Sequence, residues 1–228
     1  MSGPDAALAL PGGGRALFTA HADGNMSSVA GDGAAQGEQA RERLRARLGL
    51  ERLARGFQVH GRVVQRVRPG DPAERTAERP AEADGQATAM GGVGTMVLAA
   101  DCLPVALGCR GAVAMLHAGW RGLAAGVLEE GVRALDELAP GEEVVAIVGP
   151  CAGVCCYEVG PEVHAVFAGA HRDGRRIDLR AIAHERLLAA GVARVDHMRA
   201  CTICDERFFS HRREGSRAGR QAGVAWLR

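Results

Sequence analysis

A cysteine and a histidine stand at the ends of two short apolar runs in residues 100–122, ADCLPVALGCRGAVAMLHAGWRG. Cys102 follows one run, and we expect it to end a strand; His117 ends another, two residues before a glycine. If the strands pair, a thiolate and an imidazole side by side form part of a zinc or copper site. His60 ends a third apparent strand and is the candidate third ligand. One Cys and two His ligands leave the fourth tetrahedral position open, as in catalytic zinc sites.

The same residues also fit other roles. A cysteine after a strand is commonly a small buried apolar residue, and a histidine is commonly a satisfied polar group. Cys102 and His117 could also act as nucleophile and base of a metal-free cysteine hydrolase. A partner-binding scaffold without turnover is a further alternative. The spacing by itself leaves these interpretations open.

The charged residues narrow the chemistry. All 28 basic residues other than histidine are arginines, which excludes a Walker lysine and a lysine Schiff base. The net charge of +1 indicates no nucleic-acid or membrane partner. An anion such as phosphate would be bound by arginines near the motifs. The substrate-binding candidates are Arg121, Arg212 and Arg213, and Arg207 is a further arginine near the motifs. Asp101 is the candidate catalytic carboxylate, and Asp84 is a second candidate by position.

The cysteine content favours a reducing compartment. Seven cysteines, two of them adjacent, suit free thiols better than a disulfide framework, and no run approaches the roughly 20 apolar residues that cross a bilayer. We therefore expect a cytoplasmic protein. Cys201 and Cys204 form a CxxC pair, but the other cluster, Cys151, Cys155 and Cys156, has irregular spacing, which argues against a second metal.

Alternating apolar strands and helices predict one α+β domain over residues 1–228, with mixed β-sheets flanked by helices. Apolar spacing predicts helices over residues 34–50 and 120–140, and a third over residues 178–191 that Asp178 caps. We expect residues 56–67 to form a strand or hairpin, residues 69–85 an exposed loop, and residues 1–14 a flexible segment.

Five motifs in order resemble the laccase-domain (multicopper polyphenol oxidase-like) family. They are QVHG at 58–61, ADCLPV at 100–105, HAGWRG at 117–122, GP with CYEVG within 149–160, and CTICDERFFSHRREG with GRQAG within 201–223. The resemblance implies a zinc-dependent purine nucleoside phosphorylase that converts adenosine, inosine, guanosine or methylthioadenosine to free base and ribose 1-phosphate, and that also deaminates adenosine. It implies His60, Cys102 and His117 as the metal ligands. We expect a monomer or homodimer.

Two positions differ from the residues that are usual in that family, and the family also suggests a second activity. His21 stands where the family usually has an arginine, and Ala40-Arg41 stands where it usually has Asn-Arg. Copper is the alternative metal, with phenol oxidation as the alternative activity. A multicopper oxidase needs more histidines than the eight here, and the chain contains no HxH pair, which argues against that activity.

Overall fold

The computed structural model describes residues 7–71 and 81–228, which form two stacked mixed sheets with helices on their outer faces. The elements in the described residues are β1 (Leu8–Ala9), β2 (Gly14–Phe18), α1 (Gly37–Arg47), β3 (Arg52–Ala54), β4 (Val64–Arg66), β5 (Gly85–Thr88), β6 (Val93–Ala99), β7 (Leu103–Cys109), β8 (Ala112–Ala118), α2 (Trp120–Ala125), α3 (Val127–Leu138), β9 (Val145–Val148), α4 (Pro161–Val166), β10 (Arg172–Asp173), β11 (Arg176–Ile177), α5 (Leu179–Ala189), β12 (Arg194–His197), α6 (His211–Glu214) and β13 (Gln221–Leu227).

The strand order is β1-β2-β13-β6-β3 in one sheet and β12-β9-β7-β8-β5-β4 in the other, with β10 and β11 forming a separate hairpin. One apolar cluster fills the space between the sheets, a second lies between the six-stranded sheet and α3 with α5, and a third lies under α1. The predicted single α+β domain with mixed sheets and flanking helices is confirmed.

Strand β8 shows why the central strands read as continuous apolar runs. Val113 and Met115 face the other sheet, whereas Ala114 and Leu116 face the helices, and all four are fully buried. Because successive side chains point to opposite faces, a strand covered on both sides has no polar face. His117 follows Met115 by two residues and therefore lies on the face directed at the other sheet.

The structure corrects several predicted elements. The helix predicted over residues 120–140 is two helices, because Gly126 adopts φ 94° and separates α2 from α3. The strand or hairpin predicted over residues 56–67 is reduced to β4, and α4 was not predicted. The helix capped by Asp178 is confirmed, since the Asp178 carboxylate accepts from the N–H groups of Arg180 and Ala181.

The two segments expected to be flexible or exposed differ from those expectations. Within residues 1–14, residues 1–6 lie outside the described residues, whereas β1 pairs with β2 and Leu10 is buried. Within residues 69–85, residues 72–80 lie outside the described residues, but Ala83 and Asp84 are buried. In the described ranges, no helix is both long and apolar enough to cross a membrane.

Candidate metal centre

Cys102 and His117 lie at the same end of one antiparallel hairpin. Strands β7 and β8 pair so that Leu103 is opposite Ala118 and Pro104 is opposite His117. Cys102 therefore precedes the strand that pairs with the His117 strand; the prediction that it ends the preceding strand was wrong, because β6 stops at Ala99 and belongs to the other sheet. The predicted turn after His117 is present, since β8 ends at Ala118 and α2 begins at Trp120.

His60 reaches the hairpin from a loop and not from a strand end, which corrects the prediction. Its φ of 60° lies in the left-handed region, which non-glycine residues rarely adopt. The carboxylate of Asp84 holds this loop, because it accepts from the N–H groups of Val59, His60 and Gly61 at 3.1, 2.9 and 2.7 Å. These hydrogen bonds offset the cost of the strained backbone.

The three side chains converge on one point. One ligand atom each of His60, Cys102 and His117 lie within 4.8 Å of one another, and the two imidazole rings meet edge to face at 71°. His117 is 3% exposed, Cys102 is half-buried and His60 is exposed, so the site opens to solvent on one side. Gly119 permits the approach: a Cβ atom there would lie 2.8 Å from His60 Cδ2 and 2.9 Å from Cys102 Sγ.

Asp84 also fixes the orientation of the His117 ring. It is fully buried, and its Oδ1 accepts a hydrogen bond from His117 Nδ1 at 2.8 Å. The His117 backbone N–H donates to the Asp84 carbonyl at 2.7 Å. With Nδ1 engaged, Nε2 is the nitrogen left to bind a ligand, which is the carboxylate–histidine arrangement typical of metal sites. Asp84 is thus an orienting residue; its position in the sequence suggested only a proton carrier.

The cluster favours a thiolate. Burial raises the pKa of Cys102, but the charge of His117 and hydrogen bonds from both histidines outweigh it and lower that pKa to about 6. Burial lowers the pKa of His117, but the charge of Cys102 and the hydrogen bond to Asp84 raise it to about 9. Burial also raises the pKa of Asp84, and the hydrogen bonds from His117 and Gly61 bring it below its ordinary value.

These residues fit a zinc ion. Thiolate and imidazole are preferred zinc ligands, an orienting carboxylate is present, and the solvent-facing side leaves room for a fourth ligand. Metal–ligand bonds of about 2.0–2.3 Å place tetrahedral ligand atoms within 4 Å of each other, so only a small inward movement closes the shell.

Asp101 joins the centre to the C-terminal loop. Its φ is 89°, its Oδ1 accepts from Thr202 Oγ1 at 2.7 Å, and its Oδ2 accepts from the Arg212 N–H at 2.7 Å. Each carboxylate oxygen has a second lone pair. Asp101 therefore anchors the loop beside Cys102 and can still accept a proton.

The candidate arginines separate into two groups. Arg212 lies over the Tyr157 ring at 5.1 Å and lines an open cleft together with Tyr157 and Trp120. Arg121 is exposed and lies over the Trp120 ring at 4.2 Å. Arg213 instead binds the carbonyls of Thr202 and Phe208, and it supports the loop where we expected a substrate contact.

The remaining arginines include one that the sequence did not single out. Arg207 forms an ion pair with Asp205, so its charge is already compensated. Arg220 is half-buried and donates to the carbonyls of Ala218 and Gly219. Burial lowers its pKa, and the negative charges of Cys102 and Asp101 counteract that shift, which puts its guanidinium in the electrostatic field of the centre. Its place in the GRQAG motif was the available signal.

The departures at the N-terminus are His21, which is exposed, and Ala40, which is buried in the apolar cluster under α1. The His21 ring lies against Phe209 with centroids 4.4 Å apart, and its backbone N–H donates to the Arg207 carbonyl. Arg41 is buried and donates to the Met26 carbonyl and to Ser28 Oγ, which ties α1 to the preceding loop.

Comparisons with known proteins show the family of this chain. The family model described as "Multi-copper polyphenol oxidoreductase laccase" matches residues 13–228. A relative named purine nucleoside phosphorylase from Xylella fastidiosa is 42% identical, covering 90% of this chain and 84% of its own. The Escherichia coli protein named purine nucleoside phosphorylase YfiH is 36% identical, with coverages of 89% and 86%.

Solved structures extend the agreement to the whole fold. YlmD from Geobacillus stearothermophilus superposes with a TM-score of 0.84 at 29% identity, covering 95% of this chain and 92% of its own. A Neisseria meningitidis protein superposes with a TM-score of 0.80 at 30% identity, covering 95% of both chains. This chain belongs to the multi-copper polyphenol oxidoreductase laccase family, as its motifs predicted.

Proposed function

We propose that this protein is a zinc-dependent purine nucleoside phosphorylase with adenosine deaminase activity. The observation that carries the proposal is the convergence of His60, Cys102 and His117 at a solvent-facing centre that Asp84 orients. The names of relatives at 32–42% identity support the phosphorylase assignment. The proposed substrates are adenosine, inosine, guanosine and methylthioadenosine.

His60, Cys102 and His117 would hold the zinc. When bound, zinc lowers the pKa of a coordinated water to about 7, which supplies the nucleophile that deamination needs at neutral pH. In that reaction water adds to C6 of adenine, the C6–N bond breaks and the amino group leaves as ammonia. Asp101 lies next to Cys102 with acceptor sites to spare, and we assign it the proton that leaves the attacking water and passes to the departing amino group.

Phosphorolysis requires a different set of residues. A phosphate oxygen bonds to C1′ of the ribose, the glycosidic bond breaks, and the purine leaves with the bonding electrons and takes up a proton. Arg220 and Arg212 provide the positive charge. The Arg220 guanidinium interacts electrostatically with Cys102 and Asp101, and the Arg212 guanidinium lies over the Tyr157 ring in the cleft while its backbone N–H donates to Asp101. Arginine suits this role because its planar fork binds phosphate oxygens in pairs.

The nucleoside would lie in the adjoining cleft. Trp120 and Tyr157 line it with Arg121 and Arg212 above their rings. The ring edges and the guanidinium planes that cover the ring faces offer flat surfaces against which a purine packs, and Arg212 can also contact polar groups of the ribose or base. The cleft is open, which suits a substrate that enters and leaves from solvent.

The test is product analysis combined with metal analysis. We expect bound zinc, adenine only when phosphate is present, and inosine with or without phosphate. Cys102→Ala should lose the zinc of this centre and both products. Cys109→Ala is the matched control, because Cys109 is buried at the opposite end of β7. If zinc-loaded wild type forms neither adenine nor inosine, the proposal is overturned.

A cysteine hydrolase is the second candidate, and one observation favours it. The low pKa of Cys102 beside His117, which Asp84 orients, is also the arrangement of a cysteine–histidine–aspartate nucleophile. Such an enzyme hydrolyses activated esters after metal removal, whereas the proposed phosphorylase keeps no activity after chelation.

Phenol oxidation by the copper-loaded protein, the third candidate, is measured by oxygen uptake.

A further inference from the structure

Four cysteines outside the proposed centre meet at the protein surface. Cys155, Cys156, Cys201 and Cys204 place their Sγ atoms within 4.8 Å of one another. The Sγ atom of Cys204 lies 3.4 Å from that of Cys155 and 2.8 Å from that of Cys156. None of the four forms a disulfide. The irregular spacing that argued against a second metal says nothing about this arrangement, which only the fold creates.

The sheet topology explains why distant cysteines meet. Strands β9 and β12 are parallel neighbours, so the loops that follow them leave the same edge of the sheet. A parallel bridge between Cys151 and Cys201 continues the pairing into both loops. One loop then supplies Cys155 and Cys156, and the other supplies the CxxC pair Cys201 and Cys204.

The backbone around the four sulfurs is shaped for their close approach. A Cβ atom at Gly153 would lie 3.2 Å from Cys155 Sγ and 3.3 Å from Cys201 Sγ, so glycine leaves the space that the sulfurs use. The Gly153 N–H donates to Cys201 Sγ at 3.2 Å. Backbone N–H groups that donate to sulfur stabilise thiolates in metal sites.

Two arginines bind the loops that carry the cluster. Arg176 donates to the carbonyl of Cys155, and Arg213 donates to the carbonyls of Thr202 and Ile203. Four thiolates around one divalent ion carry a net charge of −2. Both guanidinium groups also pair with carboxylates, Arg176 with Asp173 and Arg213 with Glu214, so the case for a metal rests on the convergence of the four sulfurs.

We propose that Cys155, Cys156, Cys201 and Cys204 bind one structural zinc ion that clamps the two loops together. A zinc–sulfur distance of about 2.3 Å places tetrahedral sulfurs about 3.8 Å apart, within the range of this cluster. A multi-iron cluster needs wider spacing, because its irons and sulfides must fit between the cysteines. The proposal is independent of the proposed function.

The clamp would act on the proposed active site through Thr202. This residue lies between two of the cysteine ligands, and its hydroxyl donates to Asp101, the neighbour of Cys102. Tyr157, which lines the cleft, follows Cys156 directly. Loss of the second zinc should therefore loosen both walls of the cleft without removing a ligand of the first.

Metal analysis of purified full-length protein tests the proposal. We expect about two zinc ions per chain in wild type, about one in Cys204→Ser, and about two in the control Cys109→Ala. Cys102→Ala should also contain about one, and its remaining zinc should be bound by the four-cysteine cluster. Equal zinc content in wild type and Cys204→Ser, or iron in place of zinc, would overturn the proposal.

Native alkylation of wild type keeps the test decisive if Cys204→Ser fails to fold. Cys155 and Cys204 are exposed, so as free thiols they should react with excess N-ethylmaleimide at mildly alkaline pH. With zinc bound, mass spectrometry should show both protected until a chelator removes the metal. Equal labelling of untreated and chelator-treated protein, or a disulfide between Cys156 and Cys204 in the purified protein, would refute the site.

Discussion

Asp84→Asn is the most informative single change, because one buried carboxylate holds two of the three proposed metal ligands. Its two oxygens accept four hydrogen bonds, from His117 Nδ1 and from the N–H groups of Val59, His60 and Gly61. Asparagine offers one oxygen. Its amide nitrogen would face donors on the other side, so two of the four hydrogen bonds are lost.

The magnitude follows from those two bonds. A hydrogen bond to a charged group contributes about 1.5–3 kcal/mol, so the free energy of unfolding of the metal-free protein should fall by at most roughly 3–6 kcal/mol. Loss of an orienting partner lowers metal affinity by about 10–100-fold, or roughly 1.4–2.7 kcal/mol. The loss should be large because His60 keeps its left-handed backbone only while Asp84 holds the loop.

The assay is competition for zinc with a chromophoric chelator, in a Cys204→Ser background so that one site titrates. Asp178→Asn is the matched control: Asp178 caps α5, and asparagine caps helices about as well as aspartate. We expect the zinc affinity of the control to be unchanged. If the zinc affinity of Asp84→Asn stays within about twofold of the wild-type value and its stability is unchanged, the orienting role is refuted.

Three further changes test separate parts of the structure. Gly119→Ala should lower zinc affinity at least tenfold in the same competition assay while the metal-free protein melts as before, because the new Cβ presses on His60 and Cys102; unchanged affinity would contradict the close packing. Gly126→Ala should cost roughly 1–2 kcal/mol at its left-handed φ and lower the Tm by about 2–8 °C, with specific activity retained, and calorimetry checks this. Arg220→Gln should raise the KM for phosphate roughly tenfold or more in steady-state kinetics and leave phosphate-independent deamination unchanged; equal losses in both reactions would place Arg220 outside phosphate binding.

The fold class could be predicted from local patterns, because strands buried on both faces and amphipathic helices each have a hydrophobic pattern that is visible within a short stretch of sequence. The boundaries that failed depend on backbone conformation. The apolar spacing of residues 120–140 continues through Gly126, whose positive φ divides the helix. The apolar run around His60 resembled a strand, but hydrogen bonds to Asp84, 24 positions away, hold it as a loop.

The candidate centre divides in the same way. Cys102 and His117 could be paired from sequence because a short hairpin joins them, and the family motifs pointed to His60. Asp84 was assigned to an exposed loop, because its segment is rich in proline and charge and nothing local shows that it is buried. Arg220 reaches the centre from the start of β13.

The sequence by itself therefore determined the family, the α+β class and the chemical types of the candidate ligands, because these depend on motifs and short-range periodicity. Only the tertiary structure decided which residues meet. Strand order places the loops after β9 and β12 at one sheet edge and gathers four cysteines separated by up to 49 positions. Such contacts arise from the packing of distant segments, which the spacing of residues along the chain does not encode.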